Sequence, residues 1–300
     1  MSDHDRAARW DAAFGATPDR VARSTPGNPL DAWLAAVALG GRGWYAAAAF
    51  HLGLLISGSD PVIAALASAT RASHLRQVGG HALARPFDSA GLRRLAESDL
   101  LGPDGIDGDH PDRPGPQAAD AAAARSDVLL GLAADALGQG RTAEARRLFG
   151  IESASVNAGW RAVVRRGWVA AEIELGAGRV DAAVAPAEAA AAAAQATGSV
   201  RHQIKSSLVL GASLAAVGER PSAQELIFGA HADATRLGLW PLVWPCALVL
   251  ADVDPEHADA HRRAAARALH GVLRHSDPIA RAAAAASPWV PTWLFSGWSD

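Results

Sequence analysis

The chain is poor in the residues that would carry the commonest site chemistries. It has one cysteine, Cys246, which excludes an intrachain disulfide and a cysteine-based zinc site. It has one tyrosine, one methionine and a single lysine, Lys205, so its positive charge is almost all arginine. No run approaches the roughly 18 uninterrupted apolar residues of a membrane span. A net charge of −3 lacks the basic excess of a nucleic-acid binder, so no nucleic-acid partner is expected. The first twenty residues, MSDHDRAARWDAAFGATPDR, are charged and have no apolar centre, so they do not read as a signal peptide and a cytoplasmic protein is expected. There is no glycine-rich phosphate loop and no G-x-S-x-G elbow. The acidic pair Glu172 and Glu174 is two residues apart and points in different directions on a helix. Catalytic residues and a cofactor are therefore not expected.

What is present is small and apolar. Of 300 residues, 50% are hydrophobic and 20% charged, a globular composition. Alanine makes up roughly a quarter of the chain, well above ordinary usage. It is the best helix former and lets helices approach closely. With β-branched residues sparse and no long alternating run, an all-α protein is predicted.

A glycine recurs at the end of small/leucine-rich helical stretches, followed five residues on by alanine. The clearest unit is LVLGASLAAVGERPSAQELI, residues 208–227, with Gly218 and Ala223. Similar units carry Gly140 and Ala145, Gly178 and Ala183, Gly41 and Ala46, and, less well, Gly79 and Ala84. Each reads as helix, tight turn, helix. The glycine supplies a turn conformation that a β-carbon penalises, and the alanine sits where the two helices cross.

In the best unit Leu210-Gly211, Leu214, Gly218, Ala223 and Ile227 occupy the Leu-Gly, aromatic-type, turn-glycine, alanine and late-aromatic places of the tetratricopeptide repeat. Leu132-Ala133, Ala136, Gly140, Ala145 and Phe149 occupy them in another. The chain thus resembles a tetratricopeptide-repeat protein of the longer-period kind found in bacterial signalling and transcriptional regulators, although Glu174 and Ala187 depart from the pattern. The resemblance implies a right-handed superhelix of antiparallel helix hairpins, whose first helices line a concave groove. It also implies a non-catalytic scaffold for a protein or peptide partner.

The expected organisation is a polar arm at 1–27, repeats at 28–100, a flexible Gly/Pro/Asp-rich linker at 101–120, repeats at 121–251, capping helices at 252–286 and a Trp-rich tail at 287–300. Asp104, Asp107 and Asp109 in the linker lack the spacing and closing glutamate of a calcium loop. Trp289, Trp293 and Trp298 either seal the last helices or anchor a second copy of the chain.

Arg161 and Arg165, one helical turn apart, recur forty residues later as Arg201 and Lys205. With a repeat of that length the four cations superpose. The resemblance places Arg165, Trp168, Glu172 and Lys205 at groove positions, a cationic ladder suited to an acidic peptide. Arg71, Arg76 and Arg85 form a secondary basic strip for an acidic partner. Two other classes stand beside this one. One is a small-molecule sensor with a pocket lined by Trp160, Trp168, Trp240 and Trp244. The other is a metal enzyme using His257 and His261; they stand at i, i+4 but lack the H-E-x-x-H pattern, and no metal site is expected.

Overall fold

The computed structural model describes residues 3–20, 26–101, 120–154 and 159–295. The described residues form helices joined by turns, with no strand among them. In chain order the α-helices are α1 (Asp3–Phe14), α2 (Pro29–Gly41), α3 (Tyr45–Ile56), α4 (Pro61–Arg76), α5 (His81–Ala96), α6 (Ala121–Gly138) and α7 (Thr142–Ser153). They continue as α8 (Trp160–Gly176), α9 (Val180–Gln195), α10 (Val200–Ala216), α11 (Arg220–Arg236), α12 (Trp240–Val253), α13 (Ala258–Arg274) and α14 (Pro278–Ala286). No helix among the described residues is long and apolar enough to cross a membrane. Nearly all of the Gly/Pro/Asp-rich segment, with Asp104, Asp107 and Asp109, lies outside the described residues, as does Trp298.

Helix starts follow from local chemistry. Asn28, Asp60, Asp120 and Asp277 each place a side-chain oxygen on the free backbone N–H groups of a first turn, at 2.7–3.1 Å. Proline occupies the first position of α2, α4 and α14, where its missing N–H costs nothing.

From α2 to α13 the helices pack as six consecutive antiparallel pairs. Gly79, Gly140, Gly178 and Gly218 turn the chain inside their hairpins with φ of +78°, +74°, +72° and +89°. The first hairpin corrects the sequence reading. Gly41 is the last residue of α2, helical and packed on the Arg201 side chain, and Gly43 takes the left-handed turn at +83°. Counting from Gly43 restores the register. The alanines five residues past each hinge, Ala48, Ala84, Ala145, Ala183 and Ala223, are all 0% exposed, whereas Ala46 lies at the surface. Seven residues before each hinge stand Ala36, Ala72, Ala133, Ala171 and Gly211. The alanines there are again fully buried, and a β-carbon on Gly211 would lie 2.5 Å from Ile227 Cδ1. Each crossing is therefore small against small, which brings the two helix backbones together. Gly198 and Gly238, at +69° and +66°, turn the chain between hairpins in the same way, a second set of hinges.

The first and last hairpins touch. Ala46 N–H donates to the His275 carbonyl at 2.8 Å, and the Trp44 and His275 rings lie 5.8 Å apart. Arg71 on α4 bonds Asp277 at 2.6 Å, and Ser287 donates to the Gly79 carbonyl at 3.0 Å. One hydrophobic cluster accordingly holds Tyr45, Leu75 and Val78 together with Leu242, Leu250, Leu273 and Leu294. The tail docks through Val290 and Leu294, at 2% and 0% exposure, while Trp289 and Trp293 stay about half exposed. Trp289 Nε1 donates to the Gly138 carbonyl at 2.7 Å. At the other end α1 packs on α2 and α10, with Ala12, Ala13 and Phe14 buried.

The crossing rule is testable by overpacking. We expect Ala183→Leu to cost roughly 2 kcal/mol or more, read as a fall in the urea midpoint at unchanged slope. Ala46→Leu, one hairpin register away from a crossing, should change stability by less than about 0.5 kcal/mol.

Candidate functional site

The first helix of every pair, α2, α4, α6, α8, α10 and α12, contributes to one partly open cavity of about 140 Å³, and Phe14 at the end of α1 and Tyr45 at the start of α3 add to its wall. Four of its lining groups are cations, Arg161, Arg165, Arg201 and Lys205, against one carboxylate, Asp127. The remainder includes six rings, Phe14, Trp33, Tyr45, His74, Trp168 and His202, beside smaller apolar and polar residues.

The charges are unevenly matched. Asp127, nearly buried, bonds Arg161 through one oxygen and Arg165 through the other. Lys205 reaches Glu172 at 3.3 Å and lies 5.8 Å from the centre of the Trp168 ring. Arg161 lies over Phe14 at 4.7 Å and Trp33 at 5.5 Å. Arg201 makes no salt bridge among the described residues. Its guanidinium donates to the Ala13 carbonyl at 3.3 Å and lies 5.9 Å from the Phe14 ring. Burial, with the like charges of Arg161 and Arg165, lowers its pKa to about 10.

The rings stand in ordered pairs. Trp168 stacks on His202 at 5.4 Å and 19°, and its Nε1 donates to Ser206 at 2.8 Å. His202 Nδ1 is 2.8 Å from Ser199 Oγ. Tyr45 stacks on His74 at 4.8 Å and 15°. Burial and three nearby arginines hold His202 neutral, its pKa well below the ordinary value. Burial and the fields of Arg71, Arg201 and Arg76 lower His74 to about 3. Tyr45 Oη and His74 Nδ1 are buried and have no hydrogen-bond partner among the described residues. Burial raises the Tyr45 pKa, so its phenol is a neutral donor.

The structure brings Arg161, Arg165, Trp168, Arg201 and Lys205 to this one cavity, with Glu172 behind Lys205. Sequence reasoning missed Asp127, Trp33, Tyr45, His74 and His202. A register signal exists for two of them. Asp127 stands thirteen residues before its hinge, as do Arg165 and Lys205, and Trp33 stands ten before Gly43, as Trp168 does before Gly178.

The secondary basic strip is turned inward and its charges are met. Arg71 bonds Asp277, Arg85 bonds Glu144 at 2.5 Å, and Arg76 sits between Asp88 and Asp135, the latter at 3.1 Å. The partners come from α5, α6, α7 and the cap of α14, which a linear charge count cannot pair. Of the four tryptophans proposed for a pocket, Trp168 lines the cavity and Trp160 packs against His202 at 4.9 Å. Trp244 belongs to the core, and Trp240 is 38% exposed. His257 and His261 both bond Asp254, at 3.1 and 2.9 Å, and those bonds hold its carboxyl below the usual range. Among the described residues no group of three or more candidate ligands is arranged for a metal ion.

No family model matches this chain, and no curated protein matches it.

Two substitutions in the cavity should move stability in opposite directions. Asp127→Asn strips the counter-charge from two guanidinium groups and should cost on the order of 3 kcal/mol. Arg201→Gln removes a cation without a carboxylate and should raise stability by about 1 kcal/mol. Chemical denaturation at pH 7 reads both.

The buried histidines also set an acid response. His74 and His202 stay neutral when folded but bind protons when unfolded below about pH 6.5. The unfolded state then binds more protons, so stability falls as pH drops below that value, by up to about 1.4 kcal/mol per unit for each ring. We expect wild type to lose about 2 kcal/mol more than His74→Gln between pH 7 and pH 5. Buried carboxyls titrate alike in both proteins and cancel in that difference.

Proposed function

We propose that this chain is a non-catalytic binding module of tetratricopeptide-like repeats, wound tightly enough that its groove becomes a partly open chamber, and that the chamber captures an acidic ligand. One observation carries the reading: Arg201 is a partly buried guanidinium that meets the Ala13 carbonyl at 3.3 Å and the Phe14 ring at 5.9 Å but no carboxylate among the described residues, and it stands among cations that outnumber the local carboxylate. A charge in that position is costly without an anion, and an anion placed there gains from every neighbouring cation at once.

Of the two binding readings raised by the sequence, the geometry favours a small acid over a peptide laid along a groove. Contact between the first and last hairpins leaves a cavity of about 140 Å³. That is well below the few hundred Å³ of a drug-sized pocket. Arg165 and Lys205 already carry carboxylate partners, which weakens an extended basic ladder.

The test is equilibrium binding of the full chain to a panel of small carboxylic acids and to an acidic nonapeptide, at low and high salt. We expect at least one member to bind, with affinity falling more than tenfold in Arg201→Gln and falling as salt rises. No binding by any acid, or binding indifferent to Arg201, removes the proposal.

A further inference from the structure

The chamber specifies more than the sign of its ligand. Three features constrain shape. The first is size: about 140 Å³ is close to the roughly 150 Å³ cavity that takes one benzene ring. The second is flatness. Trp168 stacked on His202 and Tyr45 stacked on His74 are two ring pairs, each within about 20° of parallel. Both contribute to the same cavity wall. Planar walls match a planar guest, whose ring can stack or meet them edge-on. The third is the set of unmatched polar groups. Arg201 has no carboxylate among the described residues, and the Tyr45 hydroxyl and His74 Nδ1, each more than nine-tenths buried, have no hydrogen-bond partner.

We infer that the chamber is a binding site for a single-ring aromatic carboxylic acid. This rests on the acid-binding function proposed above and names the ligand class for that site. The carboxylate pairs with the Arg201 guanidinium, whose planar fork fits two carboxylate oxygens and holds them in one plane. The ring lies among the stacked pairs. The Tyr45 hydroxyl is a neutral donor, available either to the second carboxylate edge or to a ring substituent. His74 and His202 remain neutral, so the positive charge that meets the acid is concentrated on the arginines and Lys205. An extended acidic peptide fits this description poorly, since about 140 Å³ holds little more than one ring. An aliphatic acid would leave the ring pairs without a stacking partner.

The experiment uses the full chain with benzoate, cyclohexanecarboxylate, inorganic phosphate and an acidic nonapeptide as probes. Tryptophan fluorescence reports the environment of Trp168 and Trp33, and ligand-induced thermal shift provides a second readout. We expect saturable binding of benzoate, at least tenfold weaker binding of cyclohexanecarboxylate and of phosphate, and a loss of tenfold or more in Arg201→Gln. Tyr45→Phe keeps the ring pair and deletes one donor, so it should weaken benzoate several-fold while leaving the helical circular-dichroism signal and its melting close to wild type. Equal affinity for benzoate and cyclohexanecarboxylate would overturn the aromatic requirement. Equal affinity for phosphate would overturn the planar carboxylate. Peptide binding that depends on Arg201, with no binding of benzoate, would sink this inference while the acid-binding function stands. Silence from all four probes would count against both.

Discussion

Contact of the first hairpin with the last brings the inner helix faces together around a partly open cavity. The seam is made where Gly43 approaches α12 and α13. A β-carbon there would lie 2.9 Å from Val272 Cγ2 and 3.4 Å from Pro241, and the residue already has φ of +83°. Conformation and space both require glycine at that position. The neighbouring Ala46 N–H then bonds the His275 carbonyl. The first helices of six pairs, five of them spaced from their partners by alanine or glycine at the crossing, thereby meet around one cavity. Groups that would be solvated in an open groove become walls. Inside them the effective dielectric is lower, so each charge acts more strongly on the others than it would in water.

That enclosure gives meaning to a local excess of cations. Asp127 is shared by two arginines, and Lys205 is served by Glu172. Arg201 is left with the Ala13 carbonyl at the C-terminal end of α1. The last turn of a helix carries partial negative charge, worth a fraction of a full carboxylate. The arrangement therefore offsets the cation enough for folding and leaves it able to gain from a true anion. Phe14, packed 5.5 Å from Trp33 and 6.1 Å from His202, fixes the end of α1 in that position.

Local features were legible in the sequence and long-range ones were not. The hinge glycines at 79, 140, 178 and 218 and the alanines after them announce themselves because each acts within one hairpin. The run Gly40-Gly41-Arg42-Gly43 misleads, since both Gly41 and Gly43 have an alanine five residues on and only packing against Val272 and Pro241 selects the latter. The recurrence of Arg161 and Arg165 as Arg201 and Lys205 was readable, because a repeat places equal registers on one face. Their meaning was not. Asp127 shares the register of Arg165 but has opposite sign, and a search for like charges passes over it. Tyr45 and His74 enter the site only through the seam and the α4 packing that closure creates. The partners of the basic strip were not legible, because Asp277 lies 206 residues from Arg71 and Glu144 lies 59 from Arg85.

The inward strip has its own place in the chamber's electrostatics. Arg76 serves two buried acids, Asp88 and Asp135, and burial raises the pKa of both while the Arg76 charge opposes that rise, so this cluster is rich in acid where the chamber is rich in base. Asp88 packs directly on Gly131 of α6, a contact that any side chain at that position would block. His74 stands between the two clusters, within the fields of Arg71, Arg76 and Arg201 together. Arg71 and Arg76 are tied back to Asp277, Asp88 and Asp135. Neither lines the cavity, whose lining cations are Arg161, Arg165, Arg201 and Lys205, and of these Arg201 is the one without a carboxylate partner among the described residues. The buried acids Asp88 on α5 and Asp135 on α6 thus satisfy Arg76 away from the cavity, whose lining cations all come from α8 and α10.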